Sequence, residues 1–424
     1  MRIGIIGVGT VGSGVVEIVE KNQKLWNSLG VTIEIGGICA KSDAELAPYV
    51  AKGYKTTTNA DVLLDDASLQ TIVEVAGGYE LPRKWITKAL QNGKNVVTAN
   101  KALLAKYGHE IFPLAKQKNC HVLFEAAVGG GIPIIRSIQE GLTGNRIESL
   151  SCIINGTCNY ILTQMSQNGL TFEVALQQAQ AQGYAEADPT FDIEGIDAAH
   201  KTALLASLAS GKRVDFQKIH VTGITGVTAQ DIQHAKDFDC TIKLLGNYRR
   251  VGERVDARVH PCLIPNDHLL SSVNGVLNAV YLECDNLGPT LQTGAGAGKM
   301  PTASAVAADL VSLARSLGGR APIPMDWFRE GNDADLVSVD QLQTRYYFRF
   351  TTKDARGVLA SITSILASNN ISIESILQKG VRDPGKVSIV LLTERALESD
   401  VKAALAKIDA LDAVTEPSRM IRFL

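Results

Sequence analysis

Arg2-Ile3-Gly4-Ile5-Ile6-Gly7-Val8-Gly9-Thr10-Val11-Gly12 is the stretch that decides the fold. A short apolar run ends in glycines spaced G-x-G-x-x-G, and an amphipathic stretch follows at once. That order, strand then glycine turn then helix, gives an otherwise weak motif its meaning. Gly7 permits the tight turn, Gly9 lets backbone approach a pyrophosphate, and Gly12 lets helix and strand pack closely. The helix N-terminus then favours the phosphate charge. A glycine turn without a ligand is the bland alternative.

Working outward, Thr32–Cys39, Thr71–Val75, Asn95–Thr98 and His121–Val128 continue the strand pattern, with helical stretches between most of them. This βαβα rhythm predicts an α/β fold beginning with a Rossmann-type, doubly wound parallel sheet over residues 1–130, which binds its ligand at the carboxyl ends of the strands. From 131 to about 320 the pattern is mixed α/β: a helix near Pro133–Gly141, a strand near Ile147–Ile154, helices near Phe172–Gln182 and Gly195–Ser210, and strands near Arg254–Leu263 and Ala279–Cys284. A Gly-rich loop, Gly294–Gly298, leads through Pro301 into a helix to Leu317, expected to pack back on the first domain over 302–318. Proline is tolerated in such a first turn. Residues 321–344, rich in Gly, Pro and Asp, read as a linker. Beyond them, Tyr346–Thr351, Val358–Asn369, Ile371–Gln378, Val387–Thr393, Ala396–Leu405 and Ser418–Phe423 give βαββαβ, a ferredoxin-like module over 345–424.

Composition excludes several classes. The 424 residues carry 42 Lys plus Arg against 44 Asp plus Glu, a net charge of −2 that gives no general attraction to nucleic acid or anionic membrane. No apolar run approaches the roughly 18 residues of a membrane span, and the N-terminus lacks the pattern of an export signal. Seven cysteines without a CxxC pair suit reduced thiols, so a cytoplasmic protein without structural zinc is expected.

Where an NAD-selecting domain usually carries an acid for the ribose 2′-hydroxyl, this chain has Cys39-Ala40-Lys41-Ser42. Lys41 can pair with a 2′-phosphate, which favours NADP and leaves NAD as the alternative; a solvated turn lysine is the plainer reading. Val96-Val97-Thr98-Ala99-Asn100-Lys101 runs from a buried strand onto a helix start, placing Lys101 at the carboxyl edge of the sheet. There it opposes the helix dipole, so its position favours a task. Asp197 and Lys201, four apart, share a helical face. On spacing alone this is an ordinary surface ion pair of about 0.3–0.5 kcal/mol.

Six ordered stretches resemble the homoserine dehydrogenase family: GVGTVG at Gly7–Gly12, ANKALLA at Ala99–Ala105, EAAVGGGIPI at Glu125–Ile134, NGTCNYIL at Asn155–Leu162, GYAEADPTFDIEGIDAAHK at Gly183–Lys201 and GAGAGKMPTA at Gly294–Ala303. The C-terminal module, with Asp354–Leu359 and Ile371–Glu374, looks like an ACT domain. The resemblance implies interconversion of L-homoserine and L-aspartate 4-semialdehyde with NAD(P), in threonine, isoleucine and methionine biosynthesis. It makes Lys201 the proton donor, sets Lys101 between nicotinamide and substrate, and gives Glu186 and Asp197 the substrate's amino group. Around the cofactor it places Gly7, Gly9, Thr10, Val11, Gly12, Lys41, Gly77, Lys101, Gly183 and Gly298. A monovalent cation, usually sodium, is implied at Glu125 and the carbonyls of Val128, Gly130 and Ile132; composition alone says only flexible turn. A mixed middle domain that also dimerises, a homodimer or homotetramer, and threonine feedback through the ACT module are implied too.

A lysine ammonium can stabilise the oxyanion left by hydride transfer and deliver its proton. Two lysines in one pocket are expected to lower each other's pKa, so that homoserine oxidation quickens toward alkaline pH. One rival is a semialdehyde dehydrogenase with Cys158 as nucleophile, although no paired His is evident. The other is a non-catalytic amino-acid sensor that keeps the dinucleotide domain. His200, one step from Lys201, is expected to pack rather than react.

Overall fold

The computed structural model describes residues 1–316, 328–329, 331–378 and 386–424. The expected end of the last middle helix at Leu317 and the linker glycines and prolines at 319–324 lie outside them. The first sheet is parallel, with six strands: β1 (Arg2–Ile6), β2 (Glu34–Cys39), β3 (Thr56–Thr57), β4 (Thr71–Glu74), β5 (Asn95–Thr98) and β6 (Val122–Leu123), in the order β3-β2-β1-β4-β5-β6. The order reverses between β1 and β4, and the crevice at such a switch point is where dinucleotides bind. Ile3, Ile5, Val73 and Val97 face one apolar core and Ile6, Ile72 and Val96 the other. Burial on both faces is why these strands read as continuous apolar runs.

The expected strand at His121–Val128 is corrected: only Val122–Leu123 pairs, and Glu125–Ala127 turns as a 3₁₀ helix. Glu125 causes the break, because its buried carboxylate accepts hydrogen bonds from the Ile135 and Arg136 N–H groups (2.8 and 2.9 Å) and folds the chain back on itself. Helix Lys299–Ser316 contributes Ala303, Val306, Leu310 and Leu313 to the core that buries Ile3 and Val15, so it packs on the first sheet's helix Thr10–Ser28.

The second sheet runs through the middle region and the C-terminal module without a gap. Its strands are β7 (Ile147–Ile153), β8 (His220–Val221), β9 (Cys240–Val251), β10 (Arg254–Pro265), β11 (Leu277–Cys284), β12 (Gly288–Ala295), and, after the two-residue β13 (Gln343–Thr344), β14 (Tyr346–Lys353), β15 (Ile373–Leu377), β16 (Lys386–Thr393) and β18 (Arg419–Phe423); β17 (Ala396–Leu397) pairs with β13. The order is β12-β11-β7-β9-β10-β18-β14-β16-β15, with β8 on β10. Within the C-terminal module the βαββαβ order holds, with helices Val358–Ser368 and Glu398–Asp409 over one face. The join is the parallel pairing of β10 with β18, Cys262 to Arg422 and Leu263 to Phe423. Beside it, Asp231 of helix Ala229–Asp237 accepts from Arg349 Nε (2.7 Å) and the Tyr347 hydroxyl (3.0 Å), all three buried.

Candidate active site

The glycine turn has the geometry its spacing implies. Gly7 sits at φ +100°, where a side chain would be strained and where a Cβ would lie 2.8 Å from the Ala76 backbone. A Cβ on Gly12 would lie 1.9 Å from the Gly7 carbonyl oxygen, whereas one on Gly9 meets nothing within 4 Å. So Gly12 closes the turn on itself and Gly9 keeps the space above it free. Helix Thr10–Ser28 begins there with no side-chain cap, leaving its first N–H groups for an anion. A cleft of about 880 Å³ opens beside it, lined by Gly7, Gly9, Lys41, Thr58, Gly77 and Trp85 among others. This is room and chemistry for a dinucleotide.

Lys41 is exposed at the mouth of that cleft, just before Ser42 caps helix Asp43–Val50. Gly77, at φ +75°, forms part of the turn after β4, held by Glu74, whose buried carboxylate accepts from the Ala76 N–H (3.0 Å) and the Thr98 hydroxyl (2.8 Å). Gly298, at φ +122°, directly precedes Lys299, whose carbonyl would lie 2.9 Å from a Cβ on Gly14. Gly298 therefore lies beside the phosphate helix. Gly183, at φ +73°, ends helix Phe172–Ala181 next to Tyr184, whose carbonyl accepts from Thr157 Oγ1 at 2.5 Å.

At the carboxyl edge of the first sheet Asn100 caps helix Lys101–Gln117, accepting from the Leu103 N–H, and Lys101 follows in the first turn. Its Nζ lies 3.0 Å from Asp197 Oδ1. Lys201 Nζ donates to Asp197 Oδ2 at 2.7 Å and to the Ile154 carbonyl at 2.9 Å. One carboxylate thus bridges two lysines from different domains. Asp197 is 3% exposed and Lys201 9%, which corrects the reading of this i,i+4 pair as surface decoration. Helix Ile196–Ser210 carries both residues, and 11 of its 15 residues are buried, so the pair has no solvent face to occupy.

The surroundings split the two lysines. Burial, reinforced by Lys101 and opposed by Asp197, moves the Lys201 pKa below the usual lysine value. Burial also pulls on Lys101, but Asp197 outweighs it and the Lys101 pKa rises. The expectation that both fall is therefore corrected. For Asp197 burial works upward, yet Lys201 and Lys101 hold its carboxyl well below the ordinary range.

Two residues beside the bridge escaped the sequence reading. Asn155 Nδ2 donates to Asp192 Oδ1 at 2.7 Å and to Asp197 Oδ2 at 2.9 Å, while its Oδ1 caps helix Gly156–Asn168. Burial, with Asn155 opposing and the Asp197 charge adding, raises the Asp192 carboxyl. Asp192 lay in the acid-rich turn already noticed, but only folding singles it out. Glu186 is exposed, and no described side-chain contact ties it to the lysine bridge. His200 packs between Phe191 and Phe216, with centroids 5.5 and 4.4 Å away. The buried Cys158 thiol touches the Asp192 carbonyl at 3.2 Å, and burial, with Asp192 and Asp197, pushes its pKa well above the thiol range. A thiol held protonated is a poor nucleophile.

Comparison with known proteins agrees with this geometry at three levels. The family model described as "Homoserine dehydrogenase, NAD binding domain" matches residues 7–125, "Homoserine dehydrogenase" matches 133–311, and "ACT domain" matches 346–413. The homoserine dehydrogenase of Neisseria gonorrhoeae is 43% identical, with 100% of this chain and 98% of that protein covered.

The chain belongs to the homoserine dehydrogenase family.

The homoserine dehydrogenase of Pseudomonas aeruginosa is likewise 43% identical, over 100% of this chain and 98% of its own. Among solved structures, the homoserine dehydrogenase from Thiobacillus denitrificans superposes with a TM-score of 0.94 at 44% identity, covering 100% of this chain and 98% of that one. A hyperthermophilic archaeal homoserine dehydrogenase in complex with NADPH covers 76% of this chain and 99% of its own, with a TM-score of 0.64 at 27% identity. As a member of this family the chain is an NAD(P)-dependent oxidoreductase with a Rossmann-type nicotinamide domain, a mixed-sheet catalytic domain and a C-terminal ACT domain. Among the described residues, no helix is long and apolar enough to cross a membrane.

Proposed function

We propose that the Asp197 bridge is the catalytic centre for interconverting L-homoserine and L-aspartate 4-semialdehyde, with Lys201 as proton donor and Lys101 as permanent cation. The carrying observation is that one buried carboxylate holds both lysines at the switch-point edge of the dinucleotide sheet. A nicotinamide cofactor, when bound, supplies or accepts the hydride. Negative charge then develops on the aldehyde oxygen, and the Lys201 ammonium stabilises it and gives up a proton. A lowered pKa makes Lys201 the better acid, and in the oxidative direction it makes the neutral base easier to reach. Lys101, with its raised pKa, stays charged and suits the substrate carboxylate. Glu186 supplies negative charge for the substrate's ammonium; Asp197, which the resemblance gave the same task, has both oxygens engaged by Lys101, Lys201 and Asn155, so neighbouring Asp192 takes its place as a hydrogen-bond acceptor.

Lys41 at the cleft mouth favours NADP over NAD, and the archaeal relative is an NADPH complex. Gly298, beside the phosphate helix, and Gly183, at the end of helix Phe172–Ala181, serve as further cofactor contacts outside the walls of that cleft. A sodium ion at Glu125 and the carbonyls of Val128, Gly130 and Ile132 would have the all-oxygen donor set that hard cations take; Gly130 has to be glycine there, since the Gly296 and Ala295 carbonyl oxygens would lie 2.4 and 2.8 Å from a Cβ. Among the described residues no cluster of three or more His, Cys, Asp or Glu side chains could hold a metal. The cation is structural, and a chelator leaves activity intact. Threonine acts through the ACT module, near the turn Asp354–Gly357 and Ile371–Glu374, in a homodimer or homotetramer. Deleting residues 340–424 would strip β18 from β10 and expose buried Asp231, so a substitution of an exposed turn residue such as Asp354→Ala is the cleaner probe.

The test is a spectrophotometric assay of homoserine oxidation with NADP and with NAD, with and without threonine. Turnover with NADP favoured and threonine inhibiting supports the whole reading. No turnover with either cofactor overturns it.

A further inference from the structure

Strand β7 ends at Ile153, and the next two residues lie against the lysine bridge before helix Gly156–Asn168 begins. The Ile154 carbonyl accepts from Lys201 Nζ at 2.9 Å, and Asn155, 5% exposed, turns its side chain to the carboxylate on which that lysine rests. A carboxamide carries an acceptor oxygen and two N–H donors, and in Asn155 each has a task. Oδ1 accepts from the Cys158 N–H at 2.8 Å and caps the helix, while Nδ2 donates to Asp197 Oδ2 at 2.9 Å and to Asp192 Oδ1 at 2.7 Å. This fixes the orientation of the amide, because a flipped one would aim its carbonyl at two carboxylates. Capping is work that serine or aspartate does as well. Donating to two acids at once is work that neither can do. The other Asp192 oxygen accepts from the more distant Thr157 Oγ1, at 3.4 Å. Asp197 Oδ2 is shared by Asn155 and Lys201, whereas Oδ1 faces Lys101 at 3.0 Å. The amide therefore resists rotation of the Asp197 carboxylate and competes with Lys201 for the same oxygen.

We infer that Asn155 is a positioning residue for the proton step: its amide nitrogen holds the Asp197 carboxylate turned between the two lysines and loosens its grip on Lys201. The inference rests on the catalytic assignment of Lys201 and adds a residue to it. Lys201 faces Asp197 and His200 on its own helix, Lys101 of helix Lys101–Gln117, Asp192 of helix Thr190–Ile193, Cys158 of helix Gly156–Asn168 and Cys152 of β7. Burial lowers the His200 pKa, pushes the Cys152 thiol up to about 12 and lifts the Cys158 thiol well above its usual value, so all three are neutral where homoserine oxidation rises. Asp197, Asp192 and Lys101 then set the charge around Lys201. Removing the Asn155 donor leaves both acids less compensated and favours the Lys201 ammonium. The alkaline limb of homoserine oxidation moves to higher pH, opposite to the effect of removing the Asp197 charge.

The pH dependence of homoserine oxidation with saturating NADP, measured in Asn155→Ser and Asn155→Asp, tests it. Both variants keep an oxygen to cap the helix and lose the donor. The limb is expected to rise by about half a pH unit or more in each, further in Asn155→Asp, with kcat down about tenfold or more and KM for NADP within about twofold of wild type. Either variant alone carries the test if the other does not fold. A residue that only caps the helix predicts a wild-type limb in both, so an unmoved or lowered limb overturns the inference. Lys201→Met, assayed beside them, separates the two readings: inactive with the Asn155 limbs unmoved, it leaves the catalytic assignment standing and this inference overturned; active at the wild-type rate, it overturns both.

Discussion

Replacing Asp197 with Asn keeps the shape and the hydrogen bond from Asn155 but removes the charge that holds two ammonium groups together. At 2.7 Å the Lys201 pair alone represents about 6 kcal/mol of gross attraction at an effective dielectric of about 20. Breaking a buried pair from one side typically costs about 3–5 kcal/mol. The protein has an escape, because neutralising an ordinary lysine of pKa about 10.4 at pH 7 costs about 4.6 kcal/mol. Lys201 starts below that value, so the expected loss is about 3–4 kcal/mol at neutral pH, read by denaturant unfolding. The sign with pH follows from the depressed Asp197 carboxyl: its contribution is present above the unfolded value of about 3.9 and is lost as pH falls through the folded value. The gap between wild type and Asp197→Asn therefore closes in acid. Kinetically, Lys201 in the variant loses the partner that raised its pKa, so the rising limb of homoserine oxidation moves to lower pH. Misplacement of both lysines cuts kcat/KM by about a hundredfold or more. An Asp197→Asn enzyme with unchanged stability and an unshifted oxidative limb would refute the reasoning.

The glycine turn separates binding from folding: Gly9→Ala is expected to fold normally yet lose NADPH affinity in a fluorescence titration, whereas Gly12→Ala, with a Cβ 1.9 Å from the Gly7 carbonyl oxygen, loses thermal stability as well. Lys41→Ala should raise KM for NADPH about tenfold and leave KM for NADH within a factor of about two, as loss of a single charge-assisted contact implies. Cys158→Ala should keep kcat within a factor of about ten, since its buried protonated thiol takes no part in chemistry and only packing is lost.

Local chemistry was legible in the sequence wherever it is local in the structure. Arg2–Ile6 and Asn95–Thr98 have the bounds their apolar runs suggested, because both sheet faces are covered. Strand Cys240–Val251 went unread because Lys243, its fourth residue, interrupts the apolar run, and that lysine is buried, donating to Asn159, Asn274 and the Val273 carbonyl. Helix Gly156–Asn168 has so few exposed residues that no amphipathic period marks it. Lys101 and Lys201 could be named from their positions, but not their opposite pKa directions. Those depend on burial and on Asp197 lying between residues a hundred positions apart, which no spacing rule reports. Asn155 and Asp192 were invisible for the same reason, as was the continuity of the ACT sheet with β10.

The most direct measurement compares wild type with Lys201→Met in NADPH consumption with aspartate 4-semialdehyde, alongside NADPH binding by fluorescence. The account expects kcat to fall by about 10²–10⁴-fold with cofactor affinity unchanged, as for the loss of a positioned general acid. A Lys201→Met enzyme that turns over within about tenfold of wild type would contradict it.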